Sequence, residues 1–229
     1  MLNFRRGAGN LKIGVLGIQG DIQEHLKMIE KLGHEAIWVK RPEQLNKLSG
    51  LIMPGGESTT MIKLMKRFGV WEPLHQMLWN GFPVYGTCAG LVLLASEIEN
   101  YPNQDSLKAL PVKVERNGYG RQVDSFEVEL NIPVLGDQLF NAVFIRAPII
   151  VKWDKSVEVL SIYKKAPVLV RHDNILASSF HPELTEDTRI HEYFINEIVG
   201  KAGRWQNLGS KAPKAVRAGS GVLKNGFRV

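Results

Sequence analysis

The sequence predicts an α/β fold, with a mostly parallel central sheet flanked by helices and an antiparallel extension in the second half. Three observations predict it. Short apolar runs alternate with amphipathic helical stretches from residue 11 to about residue 95, the pattern of a parallel sheet covered on both faces. Beyond residue 110 the pattern changes to short strands separated by turn residues. Apolar residues make up 44% of the 229-residue chain, enough for one large domain with a substantial core.

The elements follow in order. Residues 11–18 (LKIGVLGI) form a glycine-interrupted apolar strand. Asp21 is placed to cap a helix with Ile22, Leu26 and Ile29 on one face and Gly33 as its stop. Residues 36–39 and 51–53 are the next two strands, the second ending in Pro54-Gly55-Gly56-Glu57-Ser58. Ser58 or Thr59 is expected to cap a helix whose Met61, Leu64, Met65 and Phe68 recur at helical spacing. Another helix covers 70–79, with Gly81 as its stop, and residues 82–85 read as a buried strand. A buried helix begins around 91–95. In the second half, residues 112–115, 126–130 and 143–146 are strands. Residues 158–163, 167–171 and 175–180 form an antiparallel run with Asp173-Asn174 as a turn. A final helix spans about 187–199, with Ile190, Phe194 and Ile198 inward. The chain thus divides into a short basic extension (1–10), one domain (11–200) and a basic tail (201–229) expected to dock loosely or not at all.

Charge says little about partners. The formal +6 rests on seven cations, with no acid, in residues 201–229; without them the balance is −1. Basicity confined to a tail argues against nucleic-acid binding by the fold itself. No run of 18 apolar residues is present to span a membrane, and the first residues lack the apolar core of a signal peptide. A single cysteine excludes an internal disulfide framework and fits a reducing cytoplasm.

That cysteine is the centre of the chemistry. Gly86-Thr87-Cys88-Ala89-Gly90 joins a buried strand to a buried helix, the layout of a nucleophile elbow. Glycines on either side permit the tight turn, and a helix N-terminus favours thiolate over thiol. Without that setting, a lone cysteine reads as a small buried hydrophobe. A thiol nucleophile needs a base and a group to orient the base. In His181-Pro182-Glu183, residues i and i+2 of an extended strand end point the same way, so Glu183 reaches one imidazole nitrogen and the other faces Cys88. His25, His34, His75, His172 and His191 compete for the base role, but none has a carboxylate two residues on at a strand end. Zinc held by Cys88, His181 and Glu183 is a weaker reading, because a second cysteine or a close histidine pair is missing. Backbone N–H groups of Gly55-Gly56 and of Ala89 are the natural donors for an oxyanion.

Six blocks in order carry a resemblance: GVLGIQGDIQEH (14–25), PGGESTTM (54–61), GTCAGLVLLA (86–95), ERNGYGRQVDSFE (115–127), FIRAP (144–148) and SFHPELTED (179–187). Together they resemble the class I, triad-type glutamine amidotransferases, and within them the family of glutaminase subunits of pyridoxal 5′-phosphate synthase. The resemblance covers about residues 11–199. It implies Cys88 as nucleophile, His181 as general base and acid, and Glu183 as the orienting carboxylate. It implies that Gly56, Glu57 and Ser58 contact the substrate glutamine, and that Arg116, Ile145 and Arg146 complete the pocket. A guanidinium suits the α-carboxylate of glutamine by fork geometry. The implied reaction is hydrolysis of L-glutamine to L-glutamate and ammonia through a cysteine thioester. Ammonia then passes to a synthase subunit in a heteromeric complex, with weak activity expected without that partner. No cofactor and no metal are expected. The stretch 100–111 departs from the family pattern, as do the first ten residues and everything after about Gly200.

Other readings are a glutaminase subunit of another pathway, such as imidazole glycerol phosphate synthesis, and a non-catalytic binding protein on the same fold. The ERNGYGRQVDSFE block speaks against the first and the intact Cys88, His181 and Glu183 against the second. Nucleic-acid binding by the basic tail is a third, testable by its salt dependence.

Overall fold

Apolar runs too short for helices become the strands of one central sheet, and the amphipathic stretches between them cover its faces. The computed structural model of the chain describes residues 9–119 and 125–202. The expectations for the basic tail, and most of those for the N-terminal extension, lie outside the described residues.

The first half runs β1 (Lys12–Leu16), α1 (Ile22–Lys31), β2 (Glu35–Val39), a 3-10 turn (Pro42–Lys47), β3 (Gly50–Met53), α2 (Ser58–Arg67), α3 (Trp71–Trp79), β4 (Val84–Thr87) and α4 (Ala89–Leu94). The second half adds β5 (Ala95–Ile98), β6 (Leu110–Glu115), β7 (Ser125–Leu130), β8 (Phe140–Ile145), β9 (Ile149–Trp153), β10 (Glu158–Tyr163), β11 (Ala166–His172) and β12 (Ile175–Ser178). It closes with α5 (Arg189–Tyr193), which continues as a π-helical turn (Phe194–Val199).

Seven strands form the central sheet in the order β10-β11-β12-β4-β3-β1-β2. β2, β1, β3, β4 and β12 are parallel, while β11 runs antiparallel to both β10 and β12. This is the predicted parallel sheet with its antiparallel extension. Alternate side chains go to opposite faces. Ile13, Val15, Ile52 and Tyr85 pack under α1 and α5, and Leu16, Leu51, Met53 and Val84 pack under α2, α3 and α4. Each large apolar side chain so buried stabilises the fold by about 1.5–3 kcal/mol.

Several elements differ from the sequence expectation. α4 stops at Leu94 because Ala95 turns to extended dihedrals (φ −57°, ψ 146°), and residues 95–98 become β5, paired with β6. β9 was not predicted either; it completes a three-stranded sheet, β5-β6-β9. The helix expected from about 187 begins at Arg189, with Thr188 before it. The expected caps also differ. Glu57, not Ser58 or Thr59, precedes α2, and its carboxylate accepts from the Thr59 N–H at 3.4 Å and the Thr59 hydroxyl at 2.9 Å. Asp21 precedes α1 but makes no side-chain capping bond, because its carboxylate turns toward His181.

Candidate active site

Reactive groups in an open parallel sheet gather beyond the carboxyl ends of the strands. Here the loops after β1, β3, β4, β8 and β12 meet at that edge. Cys88 lies between β4 and α4 with φ 48° and ψ −101°, a strained backbone for a residue with a Cβ. Both flanking glycines are required. A Cβ on Gly90 would lie 2.2 Å from the Met53 carbonyl oxygen, and one on Gly86 would lie 2.7 Å from the Gly90 carbonyl carbon. The elbow is anchored by the Cys88 N–H, which donates to the Ser178 carbonyl at 2.8 Å. The sulfur lies 3.8 Å from the Ile145 carbonyl oxygen, so β8 walls the other side of the cysteine.

His181 follows β12, and its N–H donates to the Val143 carbonyl at 2.8 Å. Pro182–Leu184 forms a 3-10 turn rather than the expected extended strand end. Proline at the first helical position favours that turn, since its missing N–H would have had no partner there. The turn still brings Glu183 to the ring, with His181 Nδ1 and Glu183 Oε1 2.8 Å apart. Both side chains are almost fully buried. Burial opposes charging of His181, but hydrogen bonds and the negative charges of Cys88 and Glu183 outweigh it and push the imidazole from 6.5 up to about 10. Burial also favours neutral Glu183, yet the neighbouring rings of His25 and His181 hold its carboxyl well below the usual range.

Asp21 adds a second carboxylate, 3.6 Å from His181 Nδ1 and partly exposed. Burial, then the charge of Glu183, raises its pKa, while His181 lowers it. Donor atoms of Asp21, His181 and Glu183 lie within 4.8 Å of one another. Both carboxylates face Nδ1, an arrangement that suits a shared ring N–H.

Gly55 and Gly56 follow β3. Gly55 lies against the His181 ring, and Gly56 has φ 145°, a conformation that favours glycine. The Gly55 carbonyl presses on Gly20, where a Cβ would lie 1.8 Å from its oxygen. Ala89 opens α4, so its N–H has no partner within the helix.

The expected pocket residues form a network beside the elbow. Arg116 donates to Glu57 Oε1 and to Gln104 Oε1, each at 2.7 Å, and Gln104 donates to the Ser58 hydroxyl at 3.1 Å. The Arg116 guanidinium is therefore already engaged by protein side chains rather than open to a carboxylate. Tyr101 lies 4.5 Å beneath it, and Asn100 brackets its backbone. Ile145 lies against Cys88 through its carbonyl. Arg146 is exposed with φ 42°, a strained turn directly after β8.

Gln104, Asn100 and Tyr101 carry no motif in the sequence, because the stretch 100–111 departs from the family pattern. His25 and His191 fall on helices, away from any strand-end motif. A signal was present: each interrupts the buried face of its helix, His25 between Ile22 and Ile29, and His191 beside Ile190 and Ile195.

Residues 15–200 match the SNO glutamine amidotransferase family. Among similar proteins, "Pyridoxal 5'-phosphate synthase subunit PdxT" of Kosmotoga olearia is 65% identical over 191 residues, covering 83% of this chain and all of the relative. The protein of the same name from Thermosipho africanus is 56% identical over 188 residues, covering 82% of this chain and 99% of the relative. A crystal structure described as a glutamine amidotransferase superposes with a TM-score of 0.77 at 48% identity, covering 82% of this chain and 98% of that one.

Proposed function

The chain belongs to the SNO glutamine amidotransferase family, and on that footing we propose that Cys88, His181 and Glu183 are its catalytic triad. The protein is a glutaminase: it hydrolyses L-glutamine to L-glutamate and ammonia as the glutaminase subunit of pyridoxal 5′-phosphate synthase. The 2.8 Å contact between His181 and Glu183, placed beside a cysteine on a strained elbow, carries the assignment of roles.

In the proposed mechanism, the Cys88 thiolate attacks the side-chain carboxamide carbon of glutamine. The developing oxyanion takes N–H groups from the Gly55-Gly56 segment and from Ala89; removing one such donor costs about 100- to 1000-fold in turnover. The raised pKa of His181 keeps its ring protonated at neutral pH, so it acts first as an acid. As the C–N bond breaks, His181 gives its proton to the departing ammonia and leaves a γ-glutamyl thioester. Neutral His181 then takes a proton from water, whose oxygen attacks the thioester and expels the Cys88 thiolate with glutamate as product.

Gly56, Glu57, Ser58, Arg116, Ile145 and Arg146 are proposed to bind glutamine. Arg116 acts by holding Glu57 and Gln104 in place, which leaves Arg146 the more open guanidinium. Ammonia is delivered to the synthase subunit in a heteromeric complex. The catalytic unit is residues 11–200, with 1–10 and 201–229 as extensions. A single cysteine suits work in the cytoplasm, and among the described residues no helix is long and apolar enough to cross a membrane.

Glutamate release measured with and without the synthase subunit tests this reading. Activity that rises on adding the partner supports it. No glutamate release in either state contradicts it.

A further inference from the structure

Two buried histidines lie behind the triad and take no part in the hydrolysis described above. His25 comes from the middle of α1 and His191 from α5, and neither is exposed. We propose that His25, backed by His191, is a positioning residue that holds the far oxygen of Glu183 and so fixes the proton on Nδ1 of His181. This rests on the triad assignment.

The two oxygens of Glu183 differ. Oε1 meets His181 Nδ1 at 2.8 Å. Oε2 is buried and lacks a close hydrogen bond among the described residues, with His25 Nε2 3.5 Å away. A buried carboxylate oxygen needs a donor, and the His25 ring is placed to present one. On its other side, His25 Nδ1 lies 2.9 Å from His191 Nε2.

One proton arrangement satisfies all of these contacts. His191 Nε2–H donates to His25 Nδ1. His25 Nε2–H points at Glu183 Oε2, with the Thr87 hydroxyl oxygen 3.4 Å from the same nitrogen. Glu183 Oε1 accepts from His181 Nδ1–H, and His181 Nε2 is left to exchange protons with the thiol or water. His191 Nδ1, which is buried and has no partner among the described residues, then carries a lone pair. The reversed arrangement would aim a lone pair of His25 at the carboxylate and leave a buried N–H of His191 unpaired. Leaving a buried donor unpaired is the costlier choice. Burial holds His191 neutral by lowering its pKa to about 3.

Packing alone does not explain these residues. Ile22, Met28 and Ile29 make the rest of the buried face of α1, and a leucine at position 25 would extend it without a desolvated ring. The titratable groups facing Glu183 are His181, His25, Asp21 and Tyr85, with His191 one ring further back. Among them, only His25 addresses Oε2 at contact distance among the described residues.

The test uses the full chain assembled with its synthase subunit and follows glutamate release across pH. His25→Leu keeps the volume and removes the donor, whereas His25→Gln keeps an N–H near the position of Nε2. His25→Leu is expected to lower kcat about ten- to hundredfold, the scale of one hydrogen bond to a charged group. KM for glutamine should stay within about twofold, since no ground-state contact is lost. The acid limb of kcat/KM should move to higher pH, because Glu183 without its donor takes up a proton more readily. His25→Gln should restore both the rate and the limb. Wild-type kcat and an unmoved limb in folded His25→Leu would overturn the proposal. So would a lowered rate with an unmoved limb that His25→Gln fails to restore. If the His25 variants do not fold, His191→Phe and His191→Gln make the same comparison, with the same shift and rescue expected and an unmoved limb contradicting it. Turnover by a Cys88→Ala protein would instead defeat the triad assignment, a result distinct from a Cys88-dependent enzyme indifferent to residue 25.

Discussion

Gly55 packs so closely on His181 that a Cβ at Gly55 would come within 2.3 Å of the ring's Cε1 and 3.0 Å of its Nδ1. The segment proposed to hold the oxyanion and the base proposed to move the proton therefore share a contact surface. Neither can shift without the other.

Gly55→Ala should displace the His181 ring while leaving the sheet intact. A misplacement of about 1 Å costs about a hundredfold in rate, so kcat should fall by at least that factor while far-ultraviolet circular dichroism is unchanged. A variant with wild-type kcat would show that the contact has no catalytic consequence.

Gly90→Ala tests the elbow. Its Cβ would sit 2.2 Å from a backbone oxygen of β3, which cannot rotate away. Overpacking of this kind costs about 1–3 kcal/mol, to be read from the midpoint of urea unfolding. Activity should fall as well, since Cys88 is two residues away.

Glu183→Gln keeps the shape of the side chain and changes which proton it accepts. The amide presents an N–H or an uncharged oxygen to Nδ1, and the imidazolium loses its counter-charge. The expected loss in kcat is about a thousandfold or more, by analogy with the orienting acid of serine triads. Steady-state kinetics at pH 7 on the folded variant checks it.

Gln104→Ala should raise KM for glutamine about two- to tenfold with little change in kcat, the scale of one or two neutral hydrogen bonds in the network with Ser58 and Arg116. An unchanged KM would remove the 100–109 loop from the binding site.

Stability should fall on both sides of a maximum in the near-neutral range. His191 has its folded pKa depressed from 6.5 to about 3. Its contribution is therefore complete above 6.5 and is lost as pH falls toward 3. Glu183, also depressed, contributes above about pH 4.5 and loses that contribution in more acidic solution. His181 is raised to about 10, so its contribution is complete below 6.5 and disappears as pH rises through 10. For a fully buried group such as His191 the effect is on the order of a few kcal/mol. Urea unfolding from pH 4 to 7 should show a slope that His191→Phe flattens.

Much of the fold was legible because it is written in short-range pattern. The 3.6 periodicity of Met61, Leu64 and Met65 and the apolar run of residues 51–53 place α2 and β3 without tertiary information, although Phe68, expected on the same face, lies just past the end of α2 and is exposed. β5 was hidden because Leu91–Ala95 is apolar throughout, and periodicity cannot say where a buried helix ends and a buried strand begins. β9 was hidden for another reason: Val151 and Trp153 are exposed, so the strand lacks a clean alternation. At the site, Cys88, His181 and Glu183 stand in motifs whose spacing is itself chemical. His25, Asp21 and Gln104 do not. Asp21 reads equally well as a helix cap until the loop after β12 brings His181 within 3.6 Å of it. Gln104 gains meaning only when Arg116 and Ser58, far apart in sequence, close around it.

Glutamate release by Cys88→Ala, assembled with the synthase subunit and compared with wild type, tests the nucleophile most directly. The expected result is no detectable turnover with undiminished binding of the synthase subunit, because the substitution removes one sulfur atom from a buried elbow and leaves the surface intact. Turnover at the wild-type rate would show that the sulfur of residue 88 does not form the thioester.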